Sequence, residues 1–372
     1  IGGGPAGFFA AITARETDPS RPVVLLEKNA SVLTKVKVSG GGRCNVTHAC
    51  DDPREVAAQY PRGRKELLGP FHTWGPQQTV AWFVGRGVGL KTEPDGRMFP
   101  VTDTSATIVD CLVKAAREAG VEVRTRTAVR SLDLATDGNG FAVKLVGGEE
   151  LVGDRVLLAT GGRTSSGPEP SDGYSLAGRL GHSLVEPVPS LFTFRITDAL
   201  RAGREGVSVP RATVRLAAGP RKDRLEKTGP ILVTHRGLSG PAVLGMSAWG
   251  ARGLHVRDYL FPIEINWLPG TAPADLEARL LDLTRQHGKQ NIRTGGPFGL
   301  PRRLWTALTV RAGVAEQARW ADLDRRTRSR LLETLTATRF EVTGQDTFKV
   351  EVVTGGGGPL AEVERWPVAG RV

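Results

Sequence analysis

Four glycine-centred segments carry the residues whose types and spacing could do chemistry. The first is Gly2-Gly3-Gly4-Pro5-Ala6-Gly7, a G-x-G-x-x-G, with Glu27 twenty residues beyond its last glycine. A glycine at 2 permits a tight turn, Gly4 lets a pyrophosphate approach the main chain, and Gly7 lets a helix pack closely on a strand. A pyrophosphate would then meet a helix N-terminus across Gly2, Gly4, Ala6 and Gly7, where the peptide N–H groups are free. Glu27 would accept hydrogen bonds from an adenosine ribose. A glycine-rich turn without a ligand is the plain alternative.

The second segment is Ser39-Gly40-Gly41-Gly42-Arg43-Cys44-Asn45-Val46-Thr47, preceded by Lys35 and Lys37. Three consecutive glycines let a flat ring lie against the main chain, and nearby cations favour an anion. Cys44 is either a thiol redox centre or a small packing residue; Cys50, six residues on, is no close partner. The third is Ala159-Thr160-Gly161-Gly162, a turn that could close over a cofactor or be a turn and nothing more. The fourth is Thr234-His235-Arg236-Gly237-Leu238-Ser239-Gly240-Pro241. Its histidine is a proton donor suited to neutral pH, or a solvent-facing turn residue. No Ser/His/Asp order, paired-carboxylate spacing or HExxH helix competes with it.

The elements that must position these residues can be read from periodicity. Residues 1–27 read as strand end, glycine turn, helix and strand, with Val23–Leu26 the continuous apolar run of a buried parallel strand. Residues 31–50 read as a glycine-rich loop. From 79 to 119 two helical stretches flank a short strand and a turn at Asp95-Gly96. Residues 121–158 alternate as strands punctuated at Asp137-Gly138 and Gly147-Gly148, and Val156–Ala159 reads as another buried strand. Residues 191–266 read as a β-domain of short runs broken by Gly and Pro. Leucines at 276, 280, 283, then 304, 308, then 323, 331, 335 give residues 272–336 helical spacing. β character returns after 338. The domains are therefore nested: a helical insert inside a β-domain inside an α/β domain.

Length and composition exclude several classes. At 372 residues, 40% hydrophobic and 24% charged, the chain can bury a sizeable core and reads as two or three domains. Three cysteines, with no CxxC or Cys/His spacing, exclude a disulfide scaffold and give no metal site. No apolar run approaches a membrane span, so no membrane partner and a cytoplasmic setting are expected. The net charge of +11 raises nucleic-acid binding. However, lysines number only 11 of the 50 basic residues, asparagines five, and the arginines are scattered, as GC-rich coding bias would produce. Nucleic acid is therefore not expected as a partner. The chain opens at Ile1 with no methionine, and Gly2 follows directly, so it reads as clipped at its start.

With these segments in hand, the chain resembles the BaiN/YhiN-type bacterial flavoproteins, a family of NAD(P)/FAD-dependent oxidoreductases. The matching stretches are IGGGPAG at 1–7, LLEK at 25–28, KVSGGGRCNVTH at 37–48, DGRMFP at 95–100, LATGG at 158–162, THRGLSGPAVL at 234–244 and VTGGGGPLAEV at 353–363. The resemblance implies an α/β fold. A Rossmann-like FAD-binding domain covers 1–190 and 345–372, an inserted β-barrel-like domain 191–267 and 337–344, and a helical insert 268–336. It implies FAD held non-covalently, with Gly2, Gly4, Ala6 and Gly7 at the pyrophosphate and Glu27 at the ribose. Lys28, Lys35 and the loop residues Ser39, Gly40, Gly41, Gly42, Arg43 and Asn45 would line the cofactor. Val129 would offer backbone to the adenine, and Thr160 and Gly161 would close the turn.

The expected reaction is hydride transfer between NAD(P)H and an unidentified small organic substrate, an enone being one candidate. His235 or Arg236 would polarise a carbonyl or deliver the proton. There is no second complete G-x-G-x-x-G for the donor. Two alternatives stand beside this reading: an RNA-binding flavoprotein of the tRNA-modifying kind, and a non-catalytic flavoprotein remnant.

Overall fold

The apolar run at 23–26 sets the first sheet. In a computed structural model that describes residues 1–136, 138–162, 172–198, 200, 203–218, 225–346, 353–365 and 368–370, Val24–Leu26 is a strand with Leu25 and Leu26 buried. It pairs in parallel with Glu122–Arg124, Leu25 opposite Val123. On its other side the Gly2 N–H donates to the Leu26 carbonyl at 2.8 Å. Ile1 in turn exchanges bonds with the next segment, donating to the Leu157 carbonyl and accepting from the Ala159 N–H, both at 2.8 Å. The lateral order is therefore 122–124, 24–26, 1–2, 157–159. The run at 156–159, expected as a buried strand, keeps this pairing but is not regular strand, and Leu157 is 53% exposed.

The helix Pro5–Thr17 turns Phe8, Ala11 and Ile12 inward. They share a core with Ile108, Leu112 and Ala116 of the amphipathic helix Ala106–Glu118. A three-stranded antiparallel meander follows: Val129–Leu134, Phe141–Leu145 and Glu150–Gly153. Gly138 (φ +74°) and Gly148 (φ +90°) make its two turns, a left-handed geometry that glycine adopts at little cost. Asp137 lies outside the described residues. A smaller sheet orders Thr47–His48, Arg97–Pro100 and Leu90–Thr92.

The chain divides into two units, Ile1–Pro187 with Lys349–Val372, and Val188–Phe348. The second is built on a closed six-stranded barrel, in the order Thr193–Ile196, Gly237–Ser239, Glu226–Val233, Ser208–Leu216, Leu260–Asn266 and Thr338–Asp346. Alternation places Phe261, Ile263 and Ile265 inside, and closure leaves no unpaired strand edge. Between the last two strands run the helices Pro273–Gln286, Arg302–Arg311 and Arg325–Ala337. Leu276, Leu280, Leu304, Leu308, Leu331 and Leu335 are fully buried beneath them, at the positions whose spacing marked them as helical.

One addition concerns residues 191–266, read above as a β-domain of short runs. Pro241–His255 is a helix of 15 residues packed on the barrel strands. Gly245, Gly250 and Gly253 depress its intrinsic propensity, and burial of Ala242, Val243, Met246, Ala248 and Ala251 blurs any amphipathic stripe. Tertiary packing overrides the local signal.

Barrel closure predicts a sharp sensitivity. A Cβ at Gly237 would lie 1.9 Å from the Phe194 carbonyl oxygen and 2.8 Å from the Ile196 nitrogen, both backbone atoms of the paired strand. Gly237→Ala is expected to destabilise the fold by more than about 3 kcal/mol, at the severe end for single substitutions. Gly147→Ala, where the added Cβ meets nothing within 4 Å, serves as the neutral comparison. Equal denaturant midpoints for the two variants would contradict the close approach.

Candidate functional site

The glycine turn works through what cannot be added to it. A Cβ on Gly7 would stand 2.0 Å from the Gly2 carbonyl oxygen, and a Cβ on Gly2 (φ +112°) 2.4 Å from the Ala159 oxygen. The helix, the first segment and the 159 turn are thus in backbone contact. Gly4 differs: its Cβ direction opens on space with nothing within 4 Å. It is the N-cap of Pro5–Thr17, with no side-chain cap and no acidic residue in the first turn. The first intrahelical bond runs from Phe8 N–H to the Gly4 carbonyl at 3.0 Å. The N–H groups of Ala6 and Gly7 therefore have no intrahelical acceptor and point toward the open mouth.

Glu27 sits on the turn that leaves the second strand, and the fold aims it. Its Oε2 accepts the Gly3 N–H at 2.8 Å, and its Oε1 accepts the Asn29 N–H at 2.8 Å and the Asn29 side-chain amide at 2.7 Å. The carboxylate is immobilised at the lip of the glycine turn with lone pairs remaining for a diol. Gly3 does more than the motif reading gave it: its carbonyl also accepts the Leu33 N–H at 2.8 Å. Lys28 is exposed beside this turn.

The stretch 31–50, expected as loop, is partly helical: Thr34–Gly42 begins as a helix and departs from it at Ser39 (ψ +150°). Gly40, Gly41 and Gly42 then follow at φ +56°, +70° and +88°. Gly40 is packed, since its Cβ would meet the Asn45 nitrogen at 2.8 Å, whereas Gly41 and Gly42 face open space. Lys35 lies at the same place, its Nζ 3.5 Å from the position of a Gly161 Cβ. Thr160, one step earlier, accepts the Gly173 N–H on its hydroxyl at 3.1 Å. The glycine turn, Lys35, the Gly41–Gly42 face and the 159–161 turn thus converge.

The remaining candidates make contacts of their own. The Arg43 guanidinium bonds Glu93 at 2.5 Å and Asp103 at 3.4 Å and lies over the Phe99 ring at 4.0 Å, so it anchors the loop. The Asn45 amide faces the Thr47 and Met98 carbonyls, and the orientation that satisfies both sets its nitrogen as donor to them. Ser39 donates to the Val36 carbonyl at 2.9 Å. Cys44 is buried, and burial pushes its thiol pKa up, as suits a packing residue. Val129 is buried in the meander, paired with Leu145. His235 and Arg236 are exposed in the second unit, on the turn where Thr234 Oγ1 accepts the Arg236 and Gly237 N–H groups at 3.3 and 3.1 Å. Arg236 also bonds Asp346 at 3.4 Å.

Ser105 was not legible as a site residue. Its position before an amphipathic helix suggests an N-cap, yet its hydroxyl makes no cap. It donates instead to the Lys37 carbonyl at 2.8 Å, while its N–H donates to the Gly42 carbonyl at 2.8 Å. One buried serine therefore ties the last glycine of the run to residue 37, three positions before its first.

A glycine turn, an uncapped helix start and a fixed acidic residue together define a dinucleotide-binding protein of Rossmann type. The chain belongs to the family described as HI0933-like protein Rossmann domain, whose pattern matches residues 1–368. A 3-dehydro-bile acid delta(4,6)-reductase of Clostridium scindens is 29% identical over 89% of this chain and 81% of its own length. A ribosomal RNA dihydrouridine synthase of Escherichia coli is 30% identical over 96% of this chain and 84% of its own. One of Haemophilus influenzae with the same name is 26% identical over 96% and 84%. No helix among the described residues is long and apolar enough to cross a membrane.

Two outcomes follow from this geometry. Both Glu27 oxygens already accept donors, so Glu27→Gln sets an amide donor against another donor and removes the charge. A charged hydrogen bond contributes about 1.5–3 kcal/mol, so FAD affinity measured by titration is expected to fall about tenfold or more. An unchanged dissociation constant would reject the ribose role. Ser105→Ala is expected to weaken FAD several-fold and to lower stability by about 1 kcal/mol; unaltered binding would show that the glycine run holds its shape without the serine.

Proposed function

We propose that this protein is an FAD-dependent reductase of a carbon–carbon double bond conjugated to a carbonyl, with NAD(P)H as electron donor. The observation that carries the reading is the cradle at Gly4, Gly41 and Gly42. At each of these the added Cβ would meet nothing within 4 Å, whereas Gly2, Gly7 and Gly40 are closed by neighbouring backbone. Glycines that no packing requires, Gly41 and Gly42 of them in left-handed geometry, beside a lysine that makes no ion pair among the described residues, fit a ligand lying flat on the main chain. FAD, when bound, supplies a hydride equivalent from its isoalloxazine ring.

This chain's own residues would act as follows. The Ala6 and Gly7 N–H groups and Lys35 hold the pyrophosphate, and Glu27 holds the ribose. Ser39 and Gly40 shape the loop that Arg43 and Asn45 anchor, Gly41 and Gly42 leave room for the ring, and Val129, Thr160 and Gly161 bound the cofactor. Lys28 stands at the rim. Reduction of a conjugated double bond places negative charge on the carbonyl oxygen and requires a proton at the α-carbon. An arginine does not give up its proton near neutral pH, so Arg236 holds that charge and His235 delivers the proton.

The names of the relatives support this reaction class. A delta(4,6) unsaturation beside a 3-dehydro group is a conjugated enone, and the 5,6 double bond lost when uridine becomes dihydrouridine is conjugated to a ring carbonyl. A second reading, in which the double bond belongs to uracil carried in RNA, is favoured by the E. coli relative, which matches 96% of this chain.

Purified protein should take up FAD reversibly, release it on denaturation, and bleach with NADH or NADPH. Gly41→Val, a β-branched residue at φ +70°, is expected to abolish uptake while the melting curve stays close to wild type. Full occupancy and normal bleaching in that variant would reject the cradle. His235→Gln should slow reduction of a test enone about a hundredfold at unchanged FAD occupancy; equal rates would remove His235 from the chemistry.

A further inference from the structure

Folding sorts the charge of this chain. The first unit, Ile1–Pro187 with Lys349–Val372, holds 25 Lys and Arg against 24 Asp and Glu, a net +1. The second, Val188–Phe348, holds 25 against 15, a net +10 of the total +11. Coding bias toward arginine acts on a whole gene and does not leave one unit neutral and the other strongly basic. A concentrated positive field is the electrostatic footprint of a polyanion-binding surface.

Within the second unit one helix carries the excess in an ordered form. Arg325–Ala337 buries Leu331 and Leu335 on one flank, where Arg328 also pairs with Glu277 at 3.2 Å. The opposite flank presents Arg325, Arg326, Ser329, Arg330 and Glu333 around a surface cleft of about 470 Å³. These are positions i, i+1, i+4, i+5 and i+8, one stripe of a helix. Arg325 and Arg326 occupy the first turn, which contains no acidic residue and where the helix dipole opposes cations. Among the described residues no carboxylate pairs with Arg325, Arg326 or Arg330; Arg330 donates to the Thr327 hydroxyl at 3.3 Å. Three guanidinium groups are thus held together with the N-cap carboxylate of Asp324, which feels the charge of Arg330, and Glu333 as their acidic neighbours, two carboxylates against three cations. Their planar forks match phosphate oxygens, and Ser329 adds a hydroxyl donor.

We propose that Arg325, Arg326 and Arg330, with Ser329, form a phosphate-docking face through which the second unit holds an RNA strand. The inference rests on the second reading above, in which the reduced ring is a uracil in RNA. It departs from the expectation of no nucleic-acid partner: the positive charge is concentrated in the second unit, and three of its arginines lie on one helix face.

The test uses the full chain with added FAD and a fluorescein-labelled RNA hairpin bearing unpaired uridines, followed by fluorescence anisotropy from about 50 to 200 mM salt. The triple variant R325Q/R326Q/R330Q is expected to bind at least tenfold more weakly, with a log–log salt slope shallower by about two to three. R326K should keep the wild-type slope, and R21Q, in the first unit, should change nothing. FAD occupancy and NAD(P)H bleaching of the triple variant should equal wild type. Wild-type affinity in the triple variant, or no RNA binding by the wild type, would overturn the docking face. Any of these results beside normal bleaching leaves the reductase standing. Absence of flavin uptake beside a lost salt slope in the triple variant would overturn the reductase and leave the RNA face.

Discussion

Backbone touches backbone at Gly2, Gly7 and Ala159, and the rest of the first unit follows from that contact. A single methyl group at residue 7 would overlap the carbonyl of residue 2, and one at residue 2 would overlap that of residue 159. Because the helix Pro5–Thr17 approaches this closely, its uncapped first turn opens beside the ends of three parallel segments. The crevice at the ends of parallel strands is where open α/β sheets bind ligands. Gly3 then ties the neighbours together, its N–H holding Glu27 and its carbonyl holding Leu33.

The glycine run shows how such a site is kept open. Left-handed backbone costs a glycine little and other residues about 1–2 kcal/mol. Two such residues bracket the run, Leu33 at φ +55° and Cys44 at φ +61°. Both are buried, Leu33 at 1% and Cys44 at 7% exposure, and packing of their side chains opposes the strain. Strain held in place by the surrounding core is a recurring feature of ligand clamps. Ser105, Arg43 and the short sheet at Thr47–His48 fasten the same loop from outside, so its open face is rigidly framed.

The two units divide their physics. The first is electrically balanced and invests its polar groups in orienting backbone around a nucleotide. The second is a closed barrel with helices whose buried leucines build a core and whose outward arginines build a field. Under the function proposed above, a reducible ring is brought to a flavin, which calls for both a cradle and a means of gripping what carries the ring. The separation of charge between units suits that division.

The sequence by itself determined the glycine turn, its acidic partner and the helical leucines, because each is a local pattern: a fixed spacing between residues that one turn or one helix face brings together. It also marked the barrel strands, whose alternating apolar residues needed only an inside to face. Tertiary structure alone decided what lies far apart in the chain. That Arg43 turns away to Glu93 and Asp103, that Ser105 holds residues 37 and 42 instead of capping its own helix, and that Lys35 meets Gly161 depend on contacts across 50 to 126 positions. The helix Pro241–His255 was hidden because its glycines argue against helix until the barrel buries it. Which glycines are closed by neighbours and which face open space is a property of the neighbours, and no spacing rule records it.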